Sequence, residues 1–77
     1  MASLSMFTVY HSPDDHPGRY VVRRFSIVAG SAEPVPDPEP MFVGPSLTAA
    51  REAVPPEADA CIHRSPDDEA SIVETWL

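Results

Sequence analysis

Histidines and aspartates crowd two short stretches of this chain, and any metal or acid–base chemistry would have to start there. His11, Asp14, Asp15 and His16 sit almost side by side, and His63, Asp67 and Asp68 repeat the mixture further along. Imidazole nitrogen and carboxylate oxygen are donors for a divalent ion, but such a site forms only if both stretches reach one end of the fold. The spacing argues against it. Zinc sites use tighter paired Cys/His spacing, and calcium loops alternate oxygen ligands around a required glycine. Both stretches also contain Ser-Pro-Asp-Asp, at Ser12–Asp15 and at Ser65–Asp68. Proline presets φ for the second position of a type I turn, and serine and aspartate bond nearby backbone. Turn chemistry accounts for these residues, so no metal or other cofactor is expected.

Other reactive arrangements are weaker. Cys61 is alone, which excludes a disulfide within the chain; in a strand-like stretch it reads as a small buried hydrophobe. No serine occupies a G-x-S-x-G elbow, and the three glycines are too isolated for a phosphate-binding loop. A non-enzymatic protein is expected, with no catalytic and no metal-binding residue.

These side chains hang on few elements. Seventy-seven residues make one domain, 1–77, with a thin stability margin. Residues 1–5 read as a loose start. Phe7–His11 reads as a first strand, and Arg19–Ala29 as the longest one. One face of the latter carries Val21, Arg23, Phe25 and Ile27, and the other carries Tyr20, Val22, Arg24, Ser26 and Val28. Between them, His16-Pro17-Gly18-Arg19 suits a type II turn. Residues 30–45 hold prolines at 34, 36, 38, 40 and 45, which predicts an extended, polyproline-like connector; Met41–Val43 ends it as a short strand or an apolar plug. Ser46 caps a helix running to Val54, with Leu47, Ala50 and Val54 on one face and Pro55-Pro56 as its stop. Ala60–Arg64 and Ser71–Leu77 supply two further strands. The sum is an α+β fold in ββαββ order: a small antiparallel or mixed sheet with one short helix on one face.

Charge narrows the partners. Twelve carboxylates against five arginines, with no lysine, give a net charge of −7. That balance opposes affinity for nucleic acid and for anionic membranes. No apolar run approaches the length of a bilayer span and no signal-like segment is evident, so a cytoplasmic setting is expected. If the last strand lies beside the longest one, Arg23 meets Glu74 in a structural ion pair. The opposite face, with Tyr20, Val22, Arg24, Val73 and Leu77, is then too apolar for open water, because one helix covers one face. Those five residues are the candidate interface, for a second copy of the chain or another protein.

Val21-Val22-Arg23-Arg24-Phe25, Ala50-Arg51-Glu52-Ala53-Val54-Pro55-Pro56, and Arg64-Ser65-Pro66-Asp67-Asp68 with Ile72–Leu77 resemble segments of a group of small uncharacterised bacterial proteins of the alphaproteobacterial type. That resemblance spans most of residues 19–77 and lends no functional residues. The order of hairpin, proline-containing connector and the Gly44, Ser46, Leu47, Ala50 stretch is also similar to HicB-type antitoxins. Here the connector is longer, and the Pro-Gly-Cys element of that family is missing. The leading expectation is an acidic interaction or assembly module working through a free sheet face. The alternative is an acidic, antitoxin-like regulator that masks a basic partner surface.

Overall fold

The computed structural model describes residues 3–30, 33–66 and 68–77, with Ser3 described by its backbone alone. Met1, Ala2, Ser31, Ala32 and Asp67 lie outside the described residues. The elements run β1 (Ser3–His11), β2 (Tyr20–Val28), β3 (Val35–Pro36), β4 (Phe42–Gly44), α1 (Leu47–Ala53), β5 (Cys61–His63) and β6 (Ile72–Trp76). The α+β class holds, but strands dominate and the order is ββββαββ. Every pairing is antiparallel, in the order β3-β2-β1-β6-β5, with β4 also on the outer side of β2.

Two expectations are corrected at once. The chain is already a strand at Ser3, so residues 3–5 are not loose; Leu4 pairs with Ile27 and Ser5 with Ser26. The proline-rich connector also builds sheet at Val35–Pro36, pairing Phe25 with Pro36, while the expected short strand near Met41–Val43 is β4, pairing Val22 with Phe42. Just outside β3 and β4, the non-proline Asp37 and Met41 donate their N–H groups to the carbonyls of Arg24 and Val22 at 2.9 and 2.8 Å. Proline is tolerated because it falls where no donation is needed.

The turns follow their residues closely. Arg19 N–H bonds the His16 carbonyl at 3.2 Å, and Gly18 takes φ +73°, as the third position of a type II turn requires. In the second Ser-Pro-Asp-Asp, the Asp68 N–H closes on the Ser65 carbonyl at 3.0 Å, while its carboxylate accepts from the Ser65 N–H at 2.8 Å. The first copy slips by one residue. There His16 closes on Pro13 at 3.0 Å, and Ser12 itself sits at φ 54°. Its hydroxyl accepts from the Gly18 N–H at 2.9 Å, which ties the loop across its base.

Ser46 caps α1 as expected, its hydroxyl accepting from the Ala49 N–H at 3.1 Å. Val54 leaves the helix in extended conformation, the geometry imposed on a residue before proline. Seven residues cannot hold a helix alone, so packing must hold this one. Ala50 and Val54 are buried against Phe7, Val9, Val22 and Ala58, with Phe42, Leu47, Val73 and Trp76 around them. That cluster fixes the covered face of the sheet. The register carries odd-numbered β1 residues and even-numbered β2 residues toward the helix.

Candidate interaction surface

Among the described residues, no helix or strand packs over the other sheet face. Alternation along β1 and β2 puts Met6, Thr8 and Tyr10 there, opposite Phe25, Arg23 and Val21. Leu4 and Ile27 extend the patch at one end, and Thr75, Ile72 and Ile62 extend it across β6 and β5. Thr8 and Val21 are buried, at 3% and 1% exposure. Met6, Tyr10, Phe25, Ile27 and Ile72 are half-buried, and Leu4 and Ile62 stand exposed. Thr8 and Thr75 hydroxyls lie 3.5 Å apart at its centre.

Few charged side chains lie within the strands of this face. Among the described residues Glu74 is the one carboxylate within a strand, and it points to the helix side opposite Val9. Within the strands described, Arg23 is the cation on this face, answered within the chain: its guanidinium lies 3.5 Å from the Asp15 carboxylate and donates to the Asp37 carbonyl at 3.2 Å. Burial, with Glu69 nearby, raises the pKa of the Tyr10 phenol above its usual value, so this ring stays neutral at physiological pH.

The expected site residues are distributed differently. Tyr20, Val22 and Arg24 belong to the helix side. Val22 is fully buried in the core. Tyr20 stacks on His11 with ring centroids 4.4 Å apart. Arg24 donates to the Ser5 hydroxyl at 3.1 Å and lies 3.5 Å from the Asp37 carboxylate. Val73 sits at an irregularity where β6 slips against β1, and packs on the same core. Leu77 is 43% exposed and trades backbone bonds with Ala60. Arg23 and Glu74 are not brought together, because β6 lies beside β1 and not beside β2. Glu74 is met instead by α1. Its carboxylate accepts from Arg51 Nη2 at 2.8 Å, Arg51 Nε at 3.0 Å and Trp76 Nε1 at 2.7 Å. The Arg51 hydrogen bond, with help from Trp76, holds Glu74 below the usual carboxylate range against the opposing push of burial.

Two other places bear on chemistry. Both histidine–aspartate loops do lie at one end of the sheet, since His11 N–H bonds the Ser71 carbonyl at 2.7 Å and Tyr10 faces Ile72. Yet among the described residues no three His, Cys, Asp or Glu side chains converge on a point where an ion would sit. Cys61 is exposed rather than buried, since β5 is an edge strand. It shares the helix side with His63, but burial and Glu74 push its thiol pKa up. A groove of about 530 Å³ opens beyond the end of α1, floored by Phe7 and Arg24 and edged by Met41, Glu57 and Leu77. The seven-residue helix is too short to cover nine-residue β1 and β2 to their ends.

Starting β1 at Phe7 leaves Met6 out of the patch, and Tyr10 and Ile27 lie on strands whose open face has no local signal in the sequence. For Met6 the signal was present in the alternation Leu4, Met6, Thr8, Tyr10. No helix among the described residues is long and apolar enough to cross a membrane. No protein-family model, curated protein or solved structure matches this chain.

Proposed function

We propose that the protein is a non-enzymatic interaction module whose working surface is the open face of its sheet. The observation that carries this reading is the largely apolar face bearing Met6, Tyr10, Phe25, Ile27 and Ile72, with no carboxylate within its strands and Asp15 at its margin, on a chain of net charge −7. An apolar patch spanning most of a sheet is more than a small soluble domain leaves open without use. Tyrosine, phenylalanine, methionine and arginine are also the types that interfaces favour. The most deeply buried ionisable side chain, Glu74, is saturated by three donors, which supports a structural role for it over proton transfer.

A photo-crosslinking amino acid tests the reading in the producing cell. Placed at Phe25 on the open face, it should give defined protein adducts. Placed at Glu52 on the solvent side of α1, it should give none. Equal yields from the two positions, or no adduct from Phe25, would remove the proposal.

A further inference from the structure

We infer that α1 is a lid latched by charge: Glu74 ties it to the sheet through Arg51, and protonating that one carboxylate releases the helix while the strands stay paired. The helix is the element least able to hold itself. Its seven residues, Leu47–Ala53, cannot stay helical in water alone. Prolines bound it on both sides, Pro45 before the Ser46 cap and Pro55-Pro56 after Val54, so no neighbouring segment extends it. Its grip on the core is the buried Ala50, with Val54 just past its end and Leu47 partly covered. The strands beneath are held far better. β1 and β2 pair over nine residues, and β1 is paired again on its other side by β6. Short, lightly packed segments open at lower cost than paired central strands.

Among the described residues, the side-chain hydrogen bonds that join α1 to the sheet are the two from Arg51 to Glu74, at 3.0 and 2.8 Å. The two partners stand in different surroundings. The Glu74 side chain is 1% exposed, while that of Arg51 is 48% exposed. A carboxylate so deep is tolerated only while donors face it. Those donors are Arg51 from α1 and Trp76 from β6. On β5, His63 lies opposite Glu74 and favours the carboxylate when it is itself charged. Cys61 on the same strand has its thiol pKa raised and adds no charge in acid. Val9, across the ladder on β1, is apolar. Once protonated, Glu74 needs no cation, and Arg51 gains more from water than from a neutral acid.

The direction follows from linkage. With α1 docked, the Arg51 hydrogen bond holds the Glu74 pKa below the ordinary range; with α1 released, the carboxyl meets water and returns to about 4.3. Docking is therefore fully supported above about 4.3 and loses that support as pH falls through the lower, docked value. Release bares Phe7, Val9 and Val22, so the acid form gains an apolar surface on the helix side of the sheet.

Amide hydrogen exchange of the full chain, from about pH 7 to about pH 2.5 and corrected for the intrinsic rate, follows lid and sheet separately. The Ala50 and Val54 amides bond the Ser46 and Arg51 carbonyls. Below about pH 4 they should lose protection by about tenfold or more, the weight of one charge-assisted hydrogen bond. The central ladder of β1 and β2 should keep its protection over the same range. Glu74→Gln should show weak helix protection that no longer follows pH. Arg51→Gln, at a half-exposed position outside the core, leaves the buried carboxylate with Trp76 alone, so release should move to higher pH. The unaltered chain decides the matter if either variant folds poorly. Helix and strand amides that lose protection at one pH, or helix protection flat across the range, would overturn the inference. So would a pH response retained in folded Glu74→Gln, or release of folded Arg51→Gln at the pH of the unaltered chain.

Discussion

Replacing Glu74 with glutamine isolates the contribution of the buried carboxylate beneath α1. Glu74 is 1% exposed and joins three elements at once, because Arg51 comes from the helix, Trp76 from β6, and Val9 lies across the ladder on β1. Glutamine keeps the shape and one acceptor oxygen. It removes the charge and turns an N–H₂ group toward a guanidinium or indole donor. Orphaning a buried charge costs about 3–5 kcal/mol. Glutamine orphans none, and Arg51, whose side chain is 48% exposed, can swing into water. The loss is then that of charge-assisted hydrogen bonds, about 2–3 kcal/mol. In a domain of this size each kcal/mol moves the midpoint by about 4–8 °C, so the melting temperature should fall by roughly 10–20 °C. Trp76 is the only tryptophan and bonds Glu74 directly, so its fluorescence reports the same event as far-ultraviolet dichroism. The pH dependence fixes the cause. The folded pKa of Glu74 is depressed, so its stabilisation is fully present above the ordinary glutamate value of about 4.3 and is lost as pH falls through the lower folded value. The gap between the two proteins should be constant from neutral pH down to about 5 and close below about 4. A midpoint change under about 4 °C at neutral pH, the scale of a surface ion pair, would refute the argument. So would a gap that closes above pH 5.

Three further outcomes follow from other contacts. Ser46→Ala removes the acceptor for the Ala49 N–H and should cost about 1 kcal/mol in urea unfolding, with far-ultraviolet helix signal reduced before the sheet melts. Val22→Ala cuts a fully buried core side chain and should cost about 2 kcal/mol without changing the association state. An effect on association alone would return Val22 to an interface. Cys61 is exposed but its thiol pKa is raised, so alkylation should be slow at neutral pH and accelerate only at a pH above the ordinary thiol range. Rapid labelling at pH 7 would mean an activating neighbour is in place.

Local features of the fold were legible, and relations across it were not. Ser46, Leu47, Ala50, Val54 and Pro55 announce the helix because cap, face and stop are all local. The Pro17-Gly18 turn and the second Ser-Pro-Asp-Asp are legible for the same reason. Which side of β2 the helix covers has no local signal, since Val21, Phe25 and Ile27 on one face are as apolar as Tyr20, Val22 and Val28 on the other. Only packing decides, and Ala50 seated on Val22 decides it. The pairing of Arg23 with Glu74 failed on strand order: β1 is the centre of the sheet, and nothing in its nine residues states that. Ser3-Leu4-Ser5 looked unstructured by composition, but the length of β2 recruits it.

The connector's prolines also bear on how this sheet ends. Pro34, Pro36, Pro38, Pro40 and Pro45 cannot donate from the outer flank formed by β3 and β4, so a foreign strand approaching there finds few partners. The opposite margin is β5, only three residues long. A molecule with both rims blunted in this way resists endless strand-by-strand growth into fibrils, even at high concentration.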